Sequence, residues 1–236
     1  MSDVILRVEN LAKRFGRVEA VKNVSFSVRR AAITAFLGEN GAGKTTTIKG
    51  ILGFLKPDAG RVEVRCRQPG YVPEHPAFFP WLTGREILGF TAKLLGVDRN
   101  ELARLVDRIS DAVGFDPALL ERRVQTYSSG NQKKFSYLQS LIVSPDLLIV
   151  DEPFSSLDPV SIKSVRELFL RLKEEGKALL LSSHLISEME KIADDVIIIK
   201  QGSILLEESV ERLYRDGRPD LEALFLSFHE QRPQET

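Results

Sequence analysis

Gly38-Glu39-Asn40-Gly41-Ala42-Gly43-Lys44-Thr45-Thr46 stands directly behind the apolar run Ala31 to Leu37. The segment is a complete G-x-x-x-x-G-K-[ST] pattern, and each of its residue types has a reason to be there. Glycines at 38, 41 and 43 let the backbone close into a tight nest whose N–H groups point at an anion, where a Cβ would crowd the ligand. Lys44 adds a point charge for β- and γ-phosphates, and the Thr45 hydroxyl suits Mg²⁺. Glu39, Asn40 and Ala42 fill the variable positions of the same loop. Thr46, Thr47 and Ile48 begin a helix, so the positive end of its dipole faces the same phosphates. A strand before and a helix after are the context this pattern needs, and together they imply a nucleoside triphosphate as ligand.

Outward from this loop the chain alternates between strand and helix signals. Ile5 to Val8, Val24 to Val28 and Ile33 to Leu37 read as short strands ahead of the loop, and Val62 to Val64 follows it. Between Leu82 and Val143 the period becomes helical, with Ile87, Leu88, Leu94, Leu95, Leu102, Leu105, Val106 and Ile109 as apolar positions, and Asp98 with Glu101 reads as a capping box. The strand pattern resumes at Leu147 to Val150. It continues as helix (Pro159 to Glu175), strand (Ala178 to Leu181), helix (Leu185 to Ala193) and strand (Val196 to Ile199). Such alternation predicts an α/β fold with a largely parallel sheet and helices on its faces. The expected organisation is one domain. Residues 1–71 and 145–215 form its P-loop core, including an N-terminal antiparallel β region, residues 72–144 an inserted α-helical subdomain, and residues 216–236 a C-terminal helix and tail. Leu221, Leu224, Phe225 and Phe228 recur at helical spacing there, and Gln231 to Thr236 reads as a frayed end.

Bulk composition excludes several classes. The 236 residues are 43% hydrophobic and 28% charged, as expected of a globular chain. Lysine plus arginine equals aspartate plus glutamate at 33 each, so no global positive field attracts a polyanion, and no nucleic-acid partner is expected. A single cysteine, Cys66, cannot form an intramolecular disulfide and points to a reducing compartment. The first residues carry neither a basic lead nor a long apolar stretch, which predicts no signal peptide. No apolar run approaches the roughly 18 residues that a membrane span needs.

A second constellation narrows the chemistry. Leu147-Leu148-Ile149-Val150-Asp151-Glu152 is an apolar strand that delivers two adjacent carboxylates at its C-terminal end, the edge where open α/β sheets place ligands. In a P-loop enzyme the first supports Mg²⁺ and the second polarises water against the γ-phosphate. Gly70-Tyr71-Val72-Pro73-Glu74, Tyr127-Ser128-Ser129-Gly130-Asn131-Gln132-Lys133-Lys134, Ser156-Leu157-Asp158 and Ser182-Ser183-His184 complete an ordered set. In motif order and content the chain resembles the ATP-binding-cassette (ABC) ATPase subunits over nearly its whole length, these four segments standing where the family has its Q-loop, signature, D-loop and switch-histidine loop.

The resemblance implies a role for each position. ATP and Mg²⁺ are the expected cofactors. Glu152, His184 and Lys44 are the expected catalytic residues, and Thr45, Glu74 and Asp151 the expected Mg²⁺ ligands. Phe15 matches the aromatic that stacks on adenine, with core filling as its plain alternative. His184 would bond the γ-phosphate, while His75 and His229 are left without a role. Ser128 and Gly130 would contact the γ-phosphate held by an opposite subunit, so a homodimer or a pair with a closely related cassette is expected. Asp158 would align the facing site and also fits an N-cap before Pro159.

Three departures qualify the match. Glu74 takes the usual glutamine position, where an ionised carboxylate coordinates Mg²⁺ but cannot donate a hydrogen bond and adds negative charge near Glu152; within the family this leans toward export. Ser129 and Asn131 replace a glycine and a glutamine of the signature, which affects its geometry. The stretch from Gly60 to Gly70 is short for the family, so part of the β region is trimmed. Ala77-Phe78-Phe79-Pro80-Trp81-Leu82 is an apolar cluster where the family meets its permease, and either a partner patch or internal packing accounts for it. The expectation is therefore an ATP-hydrolysing subunit at the cytoplasmic face of the cell membrane. It dimerises on ATP to drive an integral membrane permease, most readily in export. An importer cassette and a non-transport ABC ATPase are the alternatives.

Overall fold

The computed structural model describes residues 3–215 and 221–230. The expected tail at 231–236, and residues 216–220 ahead of the last helix, lie outside the described residues. In chain order the first stretch holds β1 (Val4–Phe15), β2 (Val18–Arg29), β3 (Ile33–Leu37), α1 (Lys44–Ile51) and β4 (Ala59–Val64). The middle holds β5 (Gly70–Val72), α2 (Gly84–Leu95), α3 (Arg99–Val113), α4 (Ser129–Leu141), β6 (Leu147–Asp151) and α5 (Pro159–Glu174). The last holds β7 (Ala178–Ser183), α6 (Ile186–Glu190), β8 (Asp195–Lys200), β9 (Ser203–Ser209), α7 (Val210–Arg215) and α8 (Leu221–Glu230). Two compact units result: the described residues up to Cys66 with those from Ala178 onward, and Arg67 to Lys177.

In the first unit β1 pairs antiparallel with β2 and β4, with Leu6 opposite both Val28 and Val64 and Val8 opposite both Phe26 and Val62. Alternation explains this sheet: Leu6, Val8, Phe26 and Val28 are buried while Arg7, Glu9 and Ser25 are exposed, the pattern of a strand with one covered face. β3, β7 and β8 behave differently. β3 and β7 are buried at every position, as is β8 from Val196 to Ile199, and β3 lies parallel between the other two, with Leu37 opposite Ser183 and Ile198. Strands without a polar face belong inside a parallel sheet covered on both sides. β9 closes that edge antiparallel to β8. Leu221, Leu224 and Phe225 of α8 are buried as their spacing predicts, and the Leu221 amide donates to Glu190 at 2.9 Å.

In the second unit β5 and β6 run parallel, Val72 opposite Val150, so both strands end on the same edge. The helices around them start where side chains cap free amides. Thr83 and Glu86 form a reciprocal capping box ahead of α2; Asp98 accepts from the amides of Asn100 and Glu101 ahead of α3. Ser128 caps α4, and Asp158, with Pro159 behind it, caps α5. Apolar burial follows the helical period read from sequence, with Ile87, Leu88, Val106 and Ile109 inside. Leu94, an apolar position of the same period, is exposed. Among the described residues no helix is long and apolar enough to cross a membrane.

Candidate nucleotide site

The first unit carries the phosphate loop. β3 ends at Leu37, the Gly38 amide donates to the Ser183 carbonyl at 3.4 Å, and the chain turns through 38–43 into α1. Gly43 is the N-cap of α1 at φ 107, and a Cβ there would stand 2.5 Å from the Ala20 carbonyl oxygen, so glycine is required on both counts. Lys44 is buried, its Nζ donating to the carbonyls of Gly38 at 2.6 Å and Glu39 at 3.2 Å, which holds the ammonium over the loop. Ala42 donates to Glu39 at 3.1 Å and accepts from Gly202 at 2.9 Å, anchoring the loop to the β8–β9 turn. Glu39, Asn40 and Gly41 stay exposed, and Thr45 and Thr46 are half-buried on the first helical turn. The amino end of a helix wrapped by such a loop is an anion site by its own dipoles and N–H groups.

Two further predicted residues belong to this unit. His184 follows β7, whose last residue Ser183 stands beside the start of the phosphate loop, and the Ser183 hydroxyl accepts from the Leu185 amide at 2.9 Å. Its side chain is exposed. Phe15 is half exposed at the end of β1, with the Lys13 ammonium 5.6 Å from its ring centre, so it does not fill the core. An open cleft of about 710 Å³ is lined by Arg14, Gly16, Val18, Lys22 and Gly41, joining the β1–β2 turn to the phosphate loop.

The second unit carries the carboxylates. β6 delivers Asp151 and Glu152, both buried, and β5 leads through Pro73 to the half-buried Glu74 on the same edge. Glu152 has φ 48, a left-handed backbone that a non-glycine residue adopts at a cost of roughly 1–2 kcal/mol. Negative charge concentrates here: burial, then Asp151 and Glu74, push the Tyr71 phenol up to about 12. Facing these groups is Lys133 of α4, only 1% exposed. Burial brings its ammonium down to about 8 against the opposing pull of Asp151, Glu74 and Glu152. His75, left without a role in the sequence, holds its Nε2 3.6 Å from a Glu74 oxygen. The other such histidine, His229, has a side chain outside the described residues.

Ser128 is exposed, and its hydroxyl accepts from the Asn131 amide at 3.2 Å, so the first turn of α4 is capped by the signature segment itself. A Cβ on Gly130 would stand 2.9 Å from the Ser156 carbonyl oxygen, which puts the signature and the segment before α5 in contact within one chain. Asp158 caps the Ser161 amide at 2.9 Å, and that bond, with the Ser161 hydroxyl, holds its carboxyl below the usual range. The aromatic cluster divides. Phe78 packs edge-on against Phe135 at 5.1 Å, while Phe79 and Trp81 are more than half exposed and lean on one another at 5.7 Å.

These two sets of residues invite comparison with known proteins. The family model described as ABC transporter matches residues 21–155. The chain is 35% identical over 215 residues to an uncharacterized ABC transporter ATP-binding protein, YxlF, of Bacillus subtilis, covering 89% of this chain and 72% of that one. It belongs to the ABC transporter ATPase family. Another relative, the bacitracin transport ATP-binding protein BcrA of Bacillus licheniformis, is 34% identical over 230 residues, covering 92% of this chain and 74% of that one. A solved ATP-binding subunit of an ABC transporter superposes with a TM-score of 0.84 at 28% identity, over 95% of this chain and 99% of the other. The chain is thus an ABC transporter ATP-binding subunit with the α/β cassette fold that its motif order predicted. For an ABC ATPase, the part that motif reading missed is the inner face of α4. Lys133 stands near the end of the quoted signature segment without a role assigned to it there, Tyr137 lies beyond that segment, and the trace in sequence is their spacing of four, which puts them on one helix face.

Proposed function

We propose that this cassette works in pairs, closing on two Mg-ATP molecules at the cytoplasmic face of the cell membrane to drive an integral permease in the export direction. One observation carries the reading: residues 38–45 wrap the amino end of α1 with the Lys44 ammonium held over the loop. In this reading Gly38 to Thr46 take the phosphates and the Phe15 ring stacks on adenine, for which its half exposure leaves a face available. Thr45, Asp151 and Glu74 would hold Mg²⁺; hydroxyl and carboxylate oxygens with phosphate oxygens completing the shell are the donors that ion prefers. The cation, when bound, neutralises charge on the β- and γ-phosphate oxygens. Glu152 accepts a proton from the attacking water, and His184 bonds the γ-phosphate.

Pairing follows from the signature. Ser128 and Gly130 stand at the amino end of α4, where N–H groups favour an anion, and the reading assigns them to the γ-phosphate of the opposite copy, a second copy of this chain or a closely related cassette. Residues 1–71 with 145–215 serve as the nucleotide core, 72–144 as the helical subdomain facing the permease, and 216–236 as the C-terminal segment. Exposed Phe79 and Trp81 support a permease contact there, since such aromatics anchor interfaces. The bacitracin-transport relative and Glu74 in the glutamine position support export. The test is Glu152→Gln, which keeps the shape and removes the base. ATP binding is expected to persist, the chain to elute as a dimer in Mg-ATP, and turnover to fall about 100-fold or more. Native turnover, or a monomer at saturating Mg-ATP both alone and beside the permease, would sink the reading.

A further inference from the structure

Three polar side chains recur along one face of α4 at helical spacing, Lys133, Tyr137 and Ser140, and each is engaged with a backbone carbonyl. Lys133 Nζ donates to the carbonyls of Pro73 at 2.9 Å and Asp151 at 2.8 Å. The Tyr137 hydroxyl donates to the Pro153 carbonyl at 2.8 Å, and the Ser140 hydroxyl to the Tyr71 carbonyl. The pattern is a pair of brackets. Carbonyls on both sides of Glu152 are held by side chains one helical turn apart, and those on both sides of Val72, which leads through Pro73 to Glu74, by side chains about two turns apart.

Glu152 needs such holding. Its φ of 48 is a conformation that a non-glycine residue keeps only where its surroundings over-determine it. A buried ammonium is costly unless opposite charges and acceptors surround it, and Lys133 has both: two carbonyls within hydrogen-bond distance and the carboxylates of Asp151, Glu74 and Glu152 acting on it. An apolar side chain would pack that space without the desolvation cost, so the lysine is better explained by what it fixes than by what it fills.

We propose that Lys133 is a positioning residue for ATP hydrolysis: with Tyr137 it fixes the backbone on both sides of Glu152, and it ties that setting to the helix that begins at Ser128 and Gly130. The inference rests on Glu152 being the base. Its consequence is a mechanical link inside one chain, because a displacement of the amino end of α4 acts on the Asp151 and Pro153 carbonyls through two rigid contacts less than three turns away. Capture of a phosphate by the signature segment then reaches the base without passing through solvent.

The experiment compares the full-length chain carrying Lys133→Met, Lys133→Arg or Tyr137→Phe with Glu152→Gln, measuring steady-state ATPase and equilibrium binding of a fluorescent ATP analogue. Lys133→Met is expected to lower kcat about 10- to 100-fold, the range for a lost positioning contact, while analogue affinity stays within about 3-fold. Lys133→Arg, which keeps donors and charge, restores part of the rate. Tyr137→Phe keeps the ring and loses one bond, so its kcat falls by a smaller factor at unchanged affinity. The double variant falls short of the product of the two single effects, since both act on one turn. A folded Lys133→Met with native kcat overturns the proposal, as does a loss of affinity that matches the loss of rate. Should Lys133→Met fail to fold, Tyr137→Phe decides, and native kcat in that variant overturns it. Glu152→Gln separates the layers: if it turns over ATP normally the base assignment fails, whereas if it is dead and Lys133→Met is active only the positioning role fails.

Discussion

The phosphate loop and the carboxylate turn solve the same problem, holding a backbone in a conformation that most residues avoid, by opposite means. In the loop the unusual angle falls on glycine, at Gly43, and the restraint is backbone packed on backbone, with the Ala20 carbonyl where a Cβ would go. In the turn the unusual angle falls on Glu152, φ 48, and the restraint comes from side chains of α4 reaching back to the carbonyls of Asp151 and Pro153 on either side of it, while Ser156, φ 63, lies beyond both carbonyls. The loop needs its own shape and offers the ligand N–H groups, so it needs no side chain at that point. The turn must present a carboxylate, so a glycine cannot serve and the strain is met from outside. One site is therefore brittle to any added atom within it, and the other to changes 15 to 20 residues away in sequence.

Substitutions that exchange the two strategies test this contrast. Gly43→Ala has the largest expected effect. It forces alanine to φ 107 and sets a Cβ against the Ala20 oxygen, so a loss of about 3 kcal/mol or more in unfolding free energy is expected, with ATP-analogue binding abolished. Denaturant titration and binding check it; retained binding would mean that the loop gives way where the contact says it cannot. Gly130→Ala comes next. Its Cβ would stand 2.9 Å from the Ser156 oxygen, tight enough that the segment before α5 must shift. Since the reading assigns Gly130 to the phosphate of the opposite copy, analogue binding to a single chain's own loop should stay near native while turnover drops by about tenfold, a misplacement cost. Equal losses in both would instead place Gly130 in general packing.

The contrast also explains what could be read from sequence. The phosphate loop is local: residues 38 to 46 contain the glycines, the lysine and the hydroxyl that make it, so the motif and the structure coincide. The buried strands β3, β6 and β7 were legible for the same reason, since an unbroken apolar run between turns has few other places to go. The helix caps at Asp98 and Asp158 were legible too, being set by two or three adjacent residues. Lys133 was not. Its neighbours Gln132 and Lys134 look equally polar, and only the fold turns the middle one inward onto Pro73 and Asp151. Leu94 fails in the other direction, an apolar residue on a periodic helix that remains exposed. Phe78, Phe79 and Trp81 read as one cluster, yet the first packs on Phe135 and the others face outward, a division that composition cannot express.

The smallest prediction is the most direct test of where strain is stored. Ser156 is exposed and has φ 63, so its side chain adds a steric cost with little packing in return. Ser156→Gly removes that cost, of roughly 1–2 kcal/mol for a left-handed residue, but raises the entropy of the unfolded chain by an amount worth roughly 0.5–1 kcal/mol. The difference leaves a stabilisation of about 0.5 kcal/mol, visible as a small rise in the denaturant midpoint at unchanged slope. Glycine would then help at the edge of the carboxylate turn while remaining irreplaceable in the phosphate loop. A destabilised Ser156→Gly would mean that the serine side chain itself holds the segment.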